Sequence, residues 1–152
     1  MQQKTRLNPP NQILKEYEPN HAIFETLQGP NLIERFDVYR SPQNNDDELI
    51  SVHIKLGSKL NGHPKIIHGG IIALLFDEAM GWARGVLLKG MYVTANLNVD
   101  YRSPLTQDSE AVLRVFYQDG TKEKMTFRGV LERDGTVFSE ATGLFVRVRS
   151  KI

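Results

Sequence analysis

The pattern of apolar residues changes once along the chain, from a dense apolar run to a strict alternation. Residues 70 to 86 include the run IIALLF and leave little polar surface, which predicts a helix covered on most sides. After the helix, the segment YVTANLNVDYR alternates with period two. One face of this predicted strand carries the mostly apolar residues Val93, Ala95, Leu97, Val99 and Tyr101. The other carries the polar residues Thr94, Asn96, Asn98 and Asp100.

Further β-branched segments predict five more strands. They are NLIERFDVYR and ELISVHIKL before the helix, and AVLRVFYQ, KMTFRGVLE and TVFSEATGLFVRVR near the C-terminus. The pairs Asp119-Gly120 and Asp134-Gly135 separate the last three and favour tight hairpins. We predict an α+β fold in which an antiparallel sheet of five to six strands wraps around one long central helix.

The N-terminal part of the chain differs from the rest. Residues 1–30 are polar and contain four prolines, so we assign them to an N-terminal extension and residues 31–152 to the folded domain. Within the extension, NQILKEYE favours a short helix. The segment GSKLNGHPKIIHGG, just before the long helix, is predicted to be a long loop, and loops of that length are often functional.

Composition narrows the class of protein. A chain of 152 residues is long enough for one domain with a real core. The formal net charge of +1 argues against bulk nucleic-acid binding, and the lack of cysteine excludes disulfides and a thiol nucleophile. No apolar run reaches membrane-spanning length, and no secretory apolar segment begins the sequence. Residues 1–15 carry Lys and Arg but no acid, so we expect a cytoplasmic or mitochondrial protein that is not secreted.

A carboxylate in the apolar helix is the strongest candidate for chemistry. Ala73, Asp77 and Gly81 are four residues apart and share one stripe, in which Asp77 is the reactive group. An unpaired buried carboxylate costs several kcal/mol, so Asp77 must be paired, protonated, or reached by water and ligand. A solvent-facing acid or an ion pair is the alternative for Asp77, and more so for Glu78, which lies about 100° around the helix.

Two glycines stand where the helix is predicted to begin. Backbone N–H groups at Gly69 and Gly70 could hold an anion or a developing oxyanion, although glycine also suits a sharp turn into a helix. Asp77 follows Gly69 by eight residues, about 12 Å along a helix. If both groups act on one carbonyl, a second copy must pack antiparallel and bring its Gly69 to this Asp77.

These residues resemble the hotdog-fold acyl-CoA thioesterases, in the branch typified by phenylacetyl-CoA and mitochondrial thioesterases. That branch has a His-Gly-Gly motif with an acid nine residues after the histidine, as at His68 and Asp77. VTANLNVDYRSPL and GTVFSEATGLFVRV are also similar, and the likeness covers roughly residues 45 to 148. It implies a hotdog fold, a homodimer or dimer of dimers, and an acyl-CoA substrate in lipid metabolism. It implies no cofactor beyond the coenzyme A of the substrate.

The resemblance also implies catalytic roles. Asp77 would act as general base or nucleophile on the thioester carbonyl, and the Gly69 N–H would polarise that carbonyl. His68 would orient the loop or bind near the carbonyl, and Thr94 would place a hydroxyl near the attacking water.

The substrate-binding expectations are less direct. Relatives carry an amide side chain six residues before the motif histidine, where this chain has Gly62, so we take Asn61 as its substitute. His63 and Gly70 complete the expected carbonyl surroundings. Cations for the coenzyme A phosphates are sought first at Arg102, with three other candidates, Arg128, Arg147 and Arg149.

Two other functions stay open. Hotdog dehydratases pair a loop histidine with an acid fourteen residues later, a spacing that His63 and Asp77 match. A dehydratase would lose activity in His63→Ala and keep it in His68→Ala. A non-catalytic acyl-CoA sensor would bind acyl-CoA without turnover.

A metal site is not expected, because His63 and His68 are five residues apart with no carboxylate nearby in the loop.

Overall fold

A computed structural model describes residues 4–7, 20–42 and 47–149 of the chain. One long helix, α1, covers Gly69–Leu87. Before it come β1 (Thr5–Arg6), β2 (Ile33–Arg40), β3 (Glu48–Leu56), β4 (Asn61–His63) and β5 (Ile66–Ile67). After it come β6 (Tyr92–Tyr101), β7 (Glu110–Gly120), β8 (Lys124–Arg133) and β9 (Thr136–Arg147). Two short turns, a π-helical one at Ala22–Thr26 and a 3₁₀ one at Ser58–Leu60, complete the elements.

The main sheet is antiparallel and has the order β1-β2-β3-β7-β8-β9-β6. The six predicted strands all form, and the two-residue β1 adds a seventh at one edge. One side of α1 is buried against this sheet, through Ile72, Leu75, Phe76, Ala79, Met80 and Ala83. The predicted α+β arrangement, a sheet around one long helix, is confirmed.

The connections follow the prediction in part. Asp134 and Gly135 have φ of 48° and 82° and form the tight turn between β8 and β9, as predicted. The turn predicted at Asp119-Gly120 is wrong, because both residues stay in β7 and pair with β8. The chain reverses after them, where the Thr121 N–H donates to the Lys124 carbonyl at 2.7 Å. The predicted long loop before α1 contains the small β4–β5 hairpin.

Part of the predicted extension packs on the domain. Ile23 is 1% exposed and belongs to the core, and the Phe24 ring meets the Trp82 ring edge-on at 6.2 Å. The predicted helix NQILKEYE lies outside the described residues. A domain boundary at residue 30 stays a prediction.

β6 forms the edge of the sheet beside α1. It pairs with β9 on one side, and no described strand pairs with its other side. Four large apolar or aromatic side chains are exposed along this edge and the helix end beside it, namely Leu87, Met91, Val93 and Tyr101. An open edge with exposed apolar residues is a template for pairing with another chain.

Candidate active site

A β-bulge in β6 decides which of its side chains face the helix. The pairing with β9 shifts between Thr94 and Asn96, where Ala95 is the extra residue. Thr94 therefore joins Leu97 and Tyr101 on the side that faces α1. The sequence-based assignment of Thr94 to the opposite, polar face is wrong, because simple alternation does not allow for an inserted residue.

Asp77 and Thr94 meet across the gap between α1 and β6. The Thr94 hydroxyl donates a hydrogen bond to Asp77 Oδ1 at 2.5 Å. Among the described residues, no Lys, Arg or His nitrogen lies within ion-pair distance of the half-buried Asp77 carboxylate. A hydroxyl therefore orients this acid, and no described cation neutralises it. The second carboxylate oxygen is left for another partner.

His68 and the two glycines build the start of the helix. His68 is the N-cap residue, and its Nδ1 accepts a hydrogen bond from the Gly70 N–H at 2.8 Å. Because Nδ1 is the acceptor, the neutral ring carries its proton on Nε2. No acceptor for the Gly69 N–H is found in the described part of the chain. The first turn thus offers Gly69 as a free donor, while the Gly70 N–H is occupied by the cap.

Neighbouring side chains leave little space for a Cβ at either glycine. A Cβ on Gly69 would lie 3.3 Å from the Tyr101 ring, and a Cβ on Gly70 would lie 3.1 Å from His68 Nδ1. The Tyr101 hydroxyl also donates to the Gly69 carbonyl at 2.6 Å. Sequence reasoning placed Tyr101 on a face of β6 without a role at the site. The available signal was its position at the end of the strand after the helix.

The expected substrate-binding residues lie apart from Asp77 and Thr94. Asn61 donates from Nδ2 to Gln107 Oε1 at 2.7 Å, and its buried Oδ1 has no partner. His63 is exposed on the small β4–β5 hairpin.

The expected phosphate ligand is engaged with acids. The Arg102 guanidinium lies 3.3 Å from a Glu140 oxygen and 3.9 Å from an Asp100 oxygen. Asp100 alternates with Tyr101 along β6 and so faces away from the helix. A single chain therefore does not bring Asn61, His63 or Arg102 into contact with Asp77.

Glu78 has surroundings different from those of Asp77. Its Oε1 lies 3.6 Å from His21 Nε2, in the segment predicted to be an extension. Burial raises the pKa of Glu78 above its ordinary value of 4.5. The charge of His21 and a hydrogen bond from Trp82 act against this rise, and the charge of Asp77 adds to it. No periodicity in the sequence pointed to the His21 contact.

Comparison with known proteins identifies the family and the fold of the chain. The sequence model of the thioesterase superfamily matches residues 64–138, which include α1 and the strands β6, β7 and β8. The chain belongs to the thioesterase superfamily. Its helix, wrapped by an antiparallel sheet, is the hotdog fold that the resemblance implied, and that expectation is confirmed.

Several thioesterase relatives define the extent of the likeness. Acyl-coenzyme A thioesterase THEM4 of Bos taurus is 32% identical over 108 residues, which are 70% of this chain and 44% of that protein. The chain spans less than half the length of the curated relatives it matches first.

Two solved structures superpose on most of the chain. The BH2602 protein of Bacillus halodurans, solved with CoA, is 28% identical, with a TM-score of 0.55 over 64% of this chain and 66% of that one. The phenylacetic acid degradation protein PaaI of Thermus thermophilus, a mutant structure, has a TM-score of 0.67 over 84% of this chain and 100% of its own. At 20% identity the PaaI likeness shows the fold alone.

A cavity at the C-terminal end of α1 is separate from the candidate site at Gly69 and Asp77. It has a volume of about 690 Å³ and is lined by the end of α1, including Leu87 and Leu88, and by residues such as Arg40, Tyr117 and Lys122. None of the predicted site residues lines it.

Within residues 4–7, 20–42 and 47–149, no cluster of three or more His, Asp or Glu side chains could hold a metal ion. The helices of the same ranges include none long and apolar enough to span a membrane.

Proposed function

We propose that this chain hydrolyses an acyl-CoA thioester to a free acid and coenzyme A. The hydrogen bond from Thr94 to Asp77 carries the proposal. It orients a carboxylate that has no described cationic partner, on the helix that lies within the segment matched by the thioesterase superfamily model. The acyl-coenzyme A thioesterase relatives and the CoA found in the BH2602 structure support acyl-CoA as the substrate class. No separate cofactor is needed for this reaction.

The chemistry uses the acid and the free N–H. As general base, Asp77 takes a proton from water while the water oxygen attacks the thioester carbonyl carbon. The carbonyl oxygen becomes an oxyanion, which the Gly69 N–H stabilises. The C–S bond then breaks, and the departing coenzyme A thiolate takes the proton that Asp77 had accepted, which regenerates the carboxylate. As nucleophile, Asp77 would instead attack the carbonyl carbon and displace the coenzyme A thiolate, and water would hydrolyse the resulting acyl anhydride.

A complete site takes two copies of the chain. The contacts Thr94–Asp77 and Tyr101–Gly69 both lie on the helix-facing side of the open strand β6. Antiparallel pairing of two β6 edges, with Thr94 opposite Tyr101 of a second copy, brings Asp77 towards Gly69 of that copy. The same pairing covers the exposed apolar edge. We therefore assign a homodimer, alone or within a tetramer, with two equivalent sites.

Roles of the other residues follow from their positions. His68 orients the helix start, and Asn61, His63 and Gly70 lie in or beside the loop that leads to it. Arg102 contacts Asp100 and Glu140 through Nη2, and its exposed guanidinium has further N–H donors that a coenzyme A phosphate could accept from. A cytoplasmic or mitochondrial location and the division at residue 30 complete the proposal.

Thiol release from a panel of acyl-CoAs tests the function. We expect wild type to release free thiol and Asp77→Asn to be slower by about 100-fold or more, with an unchanged circular dichroism spectrum. A loss below about tenfold, equivalent to about 1.4 kcal/mol of barrier, contradicts the role of Asp77. If wild type releases no thiol from any substrate, the hydrolase proposal fails. Enoyl-CoA hydration by wild type and His63→Ala then separates a hydratase from a binding protein.

A further inference from the structure

We propose that Tyr101 is a positioning residue that holds the Gly69 N–H in the direction needed for oxyanion binding. This inference rests on the proposed thioesterase function. It starts from the peptide unit between Gly69 and Gly70, which is held at both ends. The Tyr101 hydroxyl donates to its carbonyl oxygen at 2.6 Å, and its N–H donates to His68 Nδ1 at 2.8 Å.

Two adjacent glycines make this restraint important. Glycine has more accessible backbone conformations than any other residue, so a Gly-Gly start to a helix is the part of the turn most able to reorient. Rotation about Gly69 changes the direction of its own N–H relative to the helix. The bond from Tyr101 opposes that rotation from the sheet side, and the cap from His68 opposes it from the loop side.

The preceding peptide is also fixed. The His68 carbonyl accepts hydrogen bonds from the Ile71 and Ile72 N–H groups at 3.0 and 3.3 Å. The Gly69 N–H belongs to this peptide and has no acceptor among the described residues. The surrounding bonds therefore hold one unoccupied donor in a defined direction. A preorganised donor stabilises an oxyanion better than one that must reorient during the reaction.

Position and exposure favour this role over simple packing. Within one chain Tyr101 is 52% exposed, so its ring contributes little to that chain's own core. Yet the ring lies close enough that a Cβ on Gly69 would meet it at 3.3 Å. The hydroxyl and the ring thus both act on the residue that carries the proposed donor.

Tyr101→Phe tests the proposal, because it removes the hydroxyl and keeps the ring. Tyr92→Phe is a matched control, since Tyr92 lies in the same strand and its hydroxyl donates to the Lys122 carbonyl at 2.7 Å. We expect Tyr101→Phe to lower kcat about tenfold with KM within about twofold of wild type, and Tyr92→Phe to leave kcat unchanged. The melting temperatures of the two variants should be similar.

A double mutant separates positioning from stability. In Gly69→Pro, which lacks the donor, adding Tyr101→Phe should cause no further loss of kcat. Thiol release by wild type establishes the activity separately. With that activity present, kcat within about twofold of wild type in Tyr101→Phe, or a full further loss in the double mutant, overturns the positioning role alone. If Tyr101→Phe does not fold, Tyr101→His is measured in the wild-type and Gly69→Pro backgrounds instead. An equal loss of kcat in the two backgrounds overturns the proposal.

Discussion

Thr94 Oγ1 lies 2.5 Å from Asp77 Oδ1, so the edge strand directly controls the carboxylate of the central helix. The contact exists because the bulge at Ala95 turns Thr94 towards the helix. A threonine on an ordinary strand at this place would face the other way. The bulge is therefore part of the proposed site as much as the carboxylate itself.

Replacing Thr94 tests whether its hydroxyl orients Asp77. Thr94→Val has nearly the same shape but cannot donate, so one carboxylate oxygen loses its partner. We expect kcat for thiol release to fall about tenfold, because a misdirected base or nucleophile reacts more slowly. Thr94→Ser keeps the donor and should stay within about threefold of wild type. Equal rates for the Val and Ser variants would show that the hydroxyl has no catalytic effect.

Replacing Gly69 tests the oxyanion donor. Gly69→Pro removes the N–H, and the backbone accepts it because His68 has φ of −60° and ψ of 132°, which suits a residue before proline. We expect kcat to fall about 100-fold, the effect of losing one such donor. Gly69→Ala is the matched control, since it adds a Cβ and keeps the N–H. Steady-state kinetics should show a much smaller loss for alanine; a similar loss in both variants would point to the Tyr101 contact instead of the donor.

The raised pKa of Glu78 predicts a dependence of stability on pH. The group binds its proton more tightly folded than unfolded, where its pKa is about 4.5. Its contribution is therefore fully present below that pH and is lost as the pH rises through the higher folded value. Urea denaturation at fixed protein concentration should show wild type losing stability relative to Glu78→Gln as the pH rises above 4.5. The charges that face Glu78 are those of His21 and Asp77, so His21→Ala in both backgrounds serves as the control. A difference that grows with pH in favour of wild type would contradict burial as the main cause.

Much of the fold could be predicted from the sequence, because apolar periodicity reflects burial. The dense run from residue 70 became α1, and the alternating segments became the long strands. The side of β6 that carries Thr94 could not be predicted, because a bulge breaks the period of two on which the assignment depended. The β7–β8 hairpin forms, but its turn lies beyond Gly120, because Asp119 and Gly120 still pair with β8.

The site could be predicted only where local sequence decides the geometry. Gly69 and Asp77 belong to one helix, so their spacing of eight residues in the sequence fixes their separation along the helix axis. The contacts of His21 with Glu78 and of Tyr101 with Gly69 join residues 57 and 32 apart, and neither leaves a periodic signal. The Arg102 ion pair with Glu140 likewise depends on strand pairing.

A mixed dimer tests whether Asp77 of one copy and Gly69 of another act on the same thioester. Asp77→Asn and Gly69→Pro chains, coexpressed with different tags and purified through both, form heterodimers. One site then carries both defects, and the other pairs an intact Asp77 with an intact Gly69. We expect thiol release at about half the wild-type rate, far above either homodimer, because one of two equivalent sites is intact. Release no faster than that of the two parent variants would contradict a site shared between two copies.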